Sequence, residues 1–562
     1  MKLADFVAQF LVREGVKYVF GITGGANVHL FDSLDHTKGI TPIFTHHEQA
    51  AALAAEAYGR VTNNLGTAIV TTGPGGTNAV TGVTAAWLDS IPCLYISGQT
   101  RFRHTARGKP IRQLGSQELD IVSVVTPVTK YAVMVDDPNK IKFYLQKATY
   151  LARSGRPGPV WVDIPLDFQW AEIEPNQQLE FKPETFKEEK NPAKSVTAQI
   201  STLLQLLKTS ECPLVLAGQG IRLAHAEREF AQFIREYKLS FVTSWSATDI
   251  MPANNSLHLG RVGLGGQRGG NCAIANCDVL LAIGSHMCLT ITGLDCDNFA
   301  KNAKKIIVDI DPVEINSCNV TTDLAIESDA KLFLQQMLAI AHTKKPTVTK
   351  KWQQQLSHFK VLNAIPTTLT APKGFVNPYI FMDLLSDELA AGDTIVVDGG
   401  GTVNYTTYHA FKVKPRQRVV LSTGICAMGT GLPESIGACF ANGRKRTICL
   451  SGDGSLQLNI HELQTIVHHK LPIKIFVLNN EGYLAIRHTQ AAFLNSNFVG
   501  TDKKCGLSLP DYQKVAPAYG VKAIRINSIK ELRRKIRFAL SYNGPILCEI
   551  MVSPKHEMLP VK

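Results

Sequence analysis

The stretch that most narrows the fold is Gly452-Asp453-Gly454-Ser455, with the pair Asn479-Asn480 downstream of it. Residues 446–450 (RTICL) read as a short buried strand. Leu456, Ile460, Leu463 and Val467 then recur at helical spacing, which predicts a helix starting at the motif. Pro472 closes the connection, and residues 473–478 (IKIFVL) predict a second buried strand. Asp453 and Asn480 therefore fall at the carboxyl ends of two strands joined by a right-handed helical crossover, the edge at which open α/β sheets bind ligands. Both offer the hard oxygens that Mg²⁺ takes together with phosphate oxygens. Gly454 lets backbone approach a phosphate, and Ser455 lies at a helix amino end, where anions are favoured. The spacing thus points to a metal–diphosphate site and not to an ordinary Gly-Asp-Gly turn.

The same strand–helix alternation runs along the whole chain. At 562 residues, 45% hydrophobic and 19% charged, it has room for three domains of about 150–200 residues each. The predicted class is α/β, three domains, each a mainly parallel sheet flanked by helices. Their bounds are 1–175, 190–345 and 365–562, with polar linkers at 171–195 and 342–373. Within the first domain, His47-Glu48-Gln49 closes one strand and opens an Ala-rich helix. Thr72 to Asn78 forms a Gly-rich turn without the Lys of a P-loop, and Ser97-Gly98-Gln99 ends another strand. In the central domain Gly218-Gln219-Gly220 and Asp309-Ile310-Asp311 follow strands. In the last, Asp398-Gly399-Gly400-Gly401-Thr402 is a second backbone cradle for phosphate. There is an internal echo: Glu48 precedes a helix ending Gly59-Arg60 and then a strand, as Glu434 precedes a helix ending Gly443-Arg444 and then a strand.

The formal charge of +12 is scattered, without a basic run, which fits anionic ligands and argues against a nucleic-acid partner. No apolar stretch approaches the roughly twenty residues that span a bilayer, so no membrane association is expected. Asp5, Arg13 and Glu14 interrupt any signal-peptide core. Twelve cysteines lack CxxC spacing, and the densest group, Cys272, Cys277, Cys288 and Cys296, is read as thiols, not as a zinc site. A reducing, cytoplasmic location is expected.

The run GDGSLQLNIHELQTIVHHKLPIKIFVLNN resembles the thiamine diphosphate signature of the 2-oxo acid decarboxylase and carboligase superfamily, and nearly the whole chain is similar to its acetolactate synthase-like (large catalytic subunit) group. The resemblance implies thiamine diphosphate and Mg²⁺ as cofactors, the metal held by Asp453, Asn480 and the Gly482 carbonyl. It implies cofactor contacts from Gly400, Gly401, Thr402, Gly452, Gly454, Ser455 and Tyr483, and a wedge between the cofactor rings from Met428. Glu48 would hydrogen-bond the aminopyrimidine ring, and Gln99 would position the reacting carbonyl. Homodimers or homotetramers are implied, with Glu48 of one chain completing the site of another; a regulatory subunit is left open. The implied reaction decarboxylates pyruvate or a related 2-oxo acid and transfers the two-carbon unit to a second carbonyl. Departures at Leu484, Ala485-Ile486, Thr489 and Ser116 keep a keto-sugar nucleotide acceptor in view, then a simple decarboxylase or a non-catalytic cofactor-binding relative. The resembled synthases hold FAD in the central domain. Ser285-His286-Met287-Cys288 lacks the charges expected there, so FAD stays open.

Overall fold

The structure, a computed structural model, describes residues 1–185, 196–340 and 349–559. Parts of both expected linkers, and the expected bounds at 190, 345 and 562, lie outside the described residues. The first sheet comprises β1 (Tyr18–Gly21), β2 (Thr41–Phe44), β3 (Gly66–Val70), β4 (Cys93–Gln99), β5 (Tyr131–Met134) and β6 (Pro159–Pro165). The second comprises β7 (Pro213–Ala217), β8 (Phe241–Thr243), β9 (His258–Arg261), β10 (Val279–Ile283), β11 (Lys304–Asp309) and β12 (Leu324–Glu327). The third comprises β13 (Thr394–Val397), β14 (Arg418–Val420), β15 (Thr447–Gly452), β16 (Ile473–Asn479), β17 (Lys522–Ile526) and β18 (Ile546–Met551). All recorded pairings within these sheets are parallel. Inner strands such as β3, β4 and β6 are buried at every residue. That is why they read as unbroken apolar runs: helices cover both faces of a parallel sheet.

The first and third sheets have the same order, β2-β1-β3-β4-β6-β5 and β14-β13-β15-β16-β18-β17. The internal echo in the sequence is thus one architecture used twice. The Glu48–Thr62 and Gly431–Ala441 helices occupy equivalent places in the two copies and pack on each other. The first is buried from Ala50 to Arg60, which its alanines permit. A methyl on Gly437 would lie 1.9 Å from the Ala54 carbonyl oxygen, and one on Gly82, in the Pro74–Leu88 helix, 2.5 Å from the Ala52 Cβ. Three helices therefore meet almost backbone to backbone. Glu434, in the first turn of the later helix, is 0% exposed, with no hydrogen bond to either carboxyl oxygen among the described residues. Burial, and then the neighbouring Glu56, drive it towards the protonated form.

A buried ionic chain ties the three sheets together. Asp249 of the central domain accepts from Arg222 (3.1 Å), from Arg418 and from the Val419 N–H (2.9 Å). Burial alone would raise its carboxyl, but Arg418 and Arg222 hold it below the usual range. Arg418 also donates to the Arg60 carbonyl (2.7 Å), and Arg60 pairs with Glu56 and Asp89. Asp89 in turn accepts the Thr423 and Gly424 N–H groups (2.9 and 2.8 Å). Losing one member would leave an uncompensated buried charge, at a cost of about 3–5 kcal/mol.

Both linkers are more structured than their polar composition predicts. Ile173 and Phe181 are buried, and the Leu3 N–H donates to the Ala171 carbonyl, folding this segment back on the first domain. Lys350–Val361 is a helix whose Trp352, Leu356 and Phe359 are buried against the central domain, with the Trp352 indole N–H on the Pro213 carbonyl (3.3 Å). Those three apolar residues recur at i, i+4 and i+7, a stripe diluted by KKWQQQ. Among the described residues no helix is long and apolar enough to cross a membrane. All twelve cysteines are free.

The helix contact generates a test. Gly437→Ala forces a methyl into the Ala54 backbone and should destabilise the protein by about 2 kcal/mol or more, read as a lowered urea midpoint.

Candidate active site at the sheet edges

β15 ends at Gly452, whose extended backbone starts the Asp453–Leu458 helix. Asp453, 2% exposed, accepts three backbone N–H groups: Gly454 (2.9 Å), Asn480 (3.0 Å) and Gly482 (3.0 Å). The last two are available because the turn after β16 is left-handed, with Glu481 at φ +60° and Gly482 at +132°. Only glycine fits at 482, since a methyl there would lie 2.1 Å from the Thr501 carbonyl oxygen. Arg487 fixes the turn by donating to the Asn480 and Thr501 carbonyls (2.8 and 3.1 Å), and the Tyr512 hydroxyl donates to the Asp453 carbonyl (2.5 Å). Burial pushes the Asp453 carboxyl up to about 6, against the N–H donors and Arg487.

A second edge lies beside it. Asp398, fully buried after β13, accepts the N–H groups of Gly400 (3.1 Å), Gly429 (3.2 Å) and Gly431 (3.1 Å) and the Ser451 hydroxyl (3.0 Å). One carboxylate thus pins its own loop, the loop that enters the Gly431–Ala441 helix, and β15. It is an anchor for the Gly399–Thr402 cradle, a role the Gly-rich motif hides. Gly400 lies against Ser455, where a methyl would be 2.3 Å from the hydroxyl; Gly401 lies against Ala485, and Gly454 against the Tyr483 ring. Met428 is half-buried on the loop beside Gly429, and Thr402 is buried. The structure thus brings together Gly400, Gly401, Thr402, Met428, Gly452, Asp453, Gly454, Ser455, Asn480, Gly482 and Tyr483.

Glu48 and Gln99 lie on the corresponding edge of the first sheet. Glu48 is half-buried and accepts from the Asn78 amide (3.0 Å) across the Gly-rich turn. His47 caps its helix, its Nδ1 accepting the Gln49 N–H (3.1 Å). Gln99 is 1% exposed. Its oxygen accepts from Thr72 and the Thr100 N–H (2.8 and 2.9 Å), and its nitrogen donates to the Leu119 carbonyl and Asp163 (2.8 and 2.9 Å). An amide has two donors and two lone pairs, so Gln99 is fully engaged inside the protein. Its geometry supports the 115–120 turn. Asp163, which sequence reasoning passed over, is buried at the end of β6, takes a hydrogen bond from Ser97 (2.5 Å), and is raised to about 7 by burial. A lone acid in the apolar run VWVDIP was its available signal.

Within one chain the two edges meet beside Glu48. The His46 N–H donates to Glu462 (2.9 Å), and Asn459 donates to Gln49 (3.3 Å). No hydrogen bond among the described residues links Glu48 to the Asp453–Gly482 edge.

The donor set suits a hard cation. The Asn480 side-chain oxygen is buried without a hydrogen-bond partner, and no hydrogen bond to the Gly482 carbonyl occurs among the described residues. Asp453 Oδ1 keeps a lone pair beyond its single N–H bond, whereas Oδ2 accepts two. One carboxylate, one amide and one carbonyl leave coordination positions for phosphate and water, the pattern of Mg²⁺. Among the described residues no group of three or more His, Cys, Asp or Glu could hold a metal.

The central domain carries a separate pocket of about 570 Å³ at the carboxyl ends of β7 and β10. The strand order β12-β11-β10-β7-β8-β9 reverses there, the topological switch point at which such sheets bind ligands. Gly218 and Gly220 pack against the Gly284 backbone. Asp309, Trp245 and His286 face the pocket, and Arg156 enters from the first domain. His286 pairs with Glu314 (2.5 Å), as does Arg156; His286 first, then Arg156, holds that carboxyl down to about 2 against burial.

Comparison with known proteins follows this division. Residues 399–550 match the model of the thiamine pyrophosphate enzyme C-terminal TPP binding domain, 1–124 that of the N-terminal TPP binding domain, and 200–337 that of the central domain. The chain is 32% identical to an acetolactate synthase large subunit of Cyanidium caldarium, over 98% of this chain and 93% of that protein. It is 33% identical to a probable acetolactate synthase large subunit of Methanocaldococcus jannaschii, over 100% and 93%. It is 31% identical to the acetolactate synthase large subunit of Haemophilus influenzae, over 100% and 96%.

Asp398→Ala removes the acceptor shared by two loops and β15. It should cost about 2–4 kcal/mol, read by urea denaturation; an unchanged midpoint would remove Asp398 from the role of anchor.

Proposed function

We propose that this chain, which belongs to the thiamine pyrophosphate enzymes and within them to the acetolactate synthase large subunits, decarboxylates pyruvate and joins the two-carbon unit to a second carbonyl. The chain is an enzyme; the substrates, the metal and the residue roles are our reading. The observation that carries it is the buried, unpartnered Asn480 oxygen beside Asp453 and the free Gly482 carbonyl. These three would hold Mg²⁺, and through it the diphosphate. Gly400, Gly401, Thr402, Gly452, Gly454, Ser455 and Tyr483 would line the diphosphate cradle, where glycines leave backbone N–H groups accessible. Met428 would set the angle between the cofactor rings. When bound, thiamine diphosphate supplies the electron sink that lets carbon dioxide leave a 2-oxo acid.

Glu48 would hold the proton shared with the pyrimidine ring nitrogen, as a carboxylate kept in place by Asn78. Gln99, spent on internal hydrogen bonds, is assigned as a positioning residue for the turn that carries Ser116. We read Glu48 as serving the site of a second copy of the chain, in a homodimer or homotetramer. Phe493, Leu494, Phe498 and Val499, near Arg487 and Thr501 in the chain, are 81%, 53%, 40% and 63% exposed, a group of exposed apolar side chains that a second copy would cover. An acceptor larger than pyruvate is the second reading. Ile486 is 48% exposed and the Thr489 hydroxyl donates to the Ala485 carbonyl (3.2 Å), so this wall has no bulky aromatic to narrow it. The central pocket would take a nucleotide such as FAD: Asp309 offers a carboxylate for ribose hydroxyls and Trp245 an aromatic wall, whereas its Arg156 is already engaged by Glu314.

Product analysis after incubation with pyruvate, cofactor and Mg²⁺ decides the reaction: acetolactate supports the first acceptor, turnover only with a keto-sugar nucleotide supports the second, and no carbon dioxide release refutes both. Glu48→Gln should leave the cofactor bound while kcat falls about 10²–10⁴-fold. Unchanged exchange of the thiazolium C2 proton in that variant would remove Glu48 from this role. Asp453→Ala should abolish the rise in thermal midpoint that Mg²⁺ and cofactor together produce.

A further inference from the structure

The last sheet has a second working edge. Behind the cofactor site, at the amino ends of its strands, lies an open cleft of about 720 Å³, within the range of ligand pockets, about 300–1,000 Å³. Its floor is built from strand starts. Asp393 precedes β13, Arg446 precedes β15, and Lys474 is the second residue of β16. Arg416 and Lys445 stand exposed on the rim. Four cations thus face a single carboxylate.

That carboxylate is engaged. Asp393 accepts from Arg446 at 3.0 and 2.6 Å and from the Ala390 N–H at 2.7 Å. Arg416 and Lys445 make no ion pair among the described residues. Lys474 is the sharper anomaly. It is 2% exposed, yet its ammonium donates to the Tyr542 and Gly544 carbonyls (2.5 and 2.6 Å) and lies 5.9 Å from the Tyr542 ring centroid, with no anion in ion-pair range among the described residues. An ammonium has three hydrogens to donate, so the two carbonyls leave one for a ligand. Burial first, and Arg446 next, pull its pKa down to about 8. The protein has placed a buried cation beside another cation without a counter-charge, a costly arrangement that a bound anion would relieve.

We propose that this cleft binds a small molecule bearing a phosphate group, with Lys474 and Arg446 on the phosphate and the Arg416–Lys445 rim on the rest. A phosphate dianion answers several converging cations at once, and a planar guanidinium matches its oxygens. The site is separate from the cofactor edge. β13, β15 and β16 run from the cleft to Asp398, Asp453 and Asn480, and six residues of strand span roughly 20 Å. An occupant sits behind the metal-binding loops, on the strands that carry them, which is the place of an effector.

Calorimetry tests this on protein already loaded with thiamine diphosphate and Mg²⁺, so that the cofactor edge is filled. The probes are inorganic phosphate and fructose 1,6-bisphosphate at low chloride. Saturable binding of one site per chain is expected, weakened at least about fivefold by Arg416→Ala with Lys445→Ala and further by added salt. Lys474→Met should abolish it; because that residue is buried, the exposed rim pair keeps the test sound if the variant does not fold. Binding of both probes identifies free phosphate as sufficient, and binding of the bisphosphate alone identifies an organic phosphate; either result supports the site. Absence of saturable binding for both probes, or equal affinity in the rim variant, overturns it.

Discussion

The close approach of the Glu48–Thr62 and Gly431–Ala441 helices is the constraint on which the remaining geometry rests. Ala54 and Gly437 let two backbones touch where any larger pair would hold them apart. That contact sets the first sheet against the last, and Glu48 stands at the start of one of the two helices. Around it the ionic chain from Asp249 through Arg418 and Arg60 to Asp89 binds in the central domain. Buried ion pairs contribute little net stability, and breaking one is expensive; here they fix orientation more than they add stability.

Each cofactor-side loop depends on one buried carboxylate that collects backbone N–H groups. Asp453 gathers the turn after β16, and Asp398 gathers two loops, one at Gly400 and one at Gly429 and Gly431. A loop held by its own backbone keeps its carbonyls and remaining N–H groups aimed at a ligand with little entropy left to lose on binding. The two carboxylates differ in what remains free. Asp398 is closed in by four donors. Asp453 accepts the backbone N–H of Asn480, whose side-chain oxygen has no partner among the described residues, and keeps one lone pair free on Oδ1.

Much of this was legible in the sequence because buried parallel strands write themselves as apolar runs. TAIVTT, PCLYISG, RTICL and IKIFVL announced β3, β4, β15 and β16, and the Gly-Asp-Gly-Ser and Asn-Asn spacing placed Asp453 and Asn480 at the carboxyl ends of adjacent strands. The strands that do not stand out as apolar runs are mostly at sheet margins: β5, β9, β12, β14 and β17 are edge strands, short and mixed in polarity, as edges are. β18 is hard to read for another reason. Glu549 interrupts its apolar run, and that glutamate is buried only because Arg525, Gln513 and Asn479 satisfy it. The Lys350–Val361 helix looked like a linker because Trp352, Leu356 and Phe359 are spaced among lysines and glutamines. Gln99 shows the opposite limit. Its position at a strand end was readable, while three of its four internal hydrogen bonds depend on residues 20 to 64 places away in the chain.

Glu434 gives the doubled architecture its last meaning. It lies in the first turn of the later helix, as Glu48 opens the earlier one, yet it is sealed from water with both oxygens unclaimed among the described residues. Two halves with one blueprint have therefore parted: one keeps an acid at an open doorway, the other keeps its own inside the wall. A repeated scaffold of this kind can renovate one wing while the other stays in service.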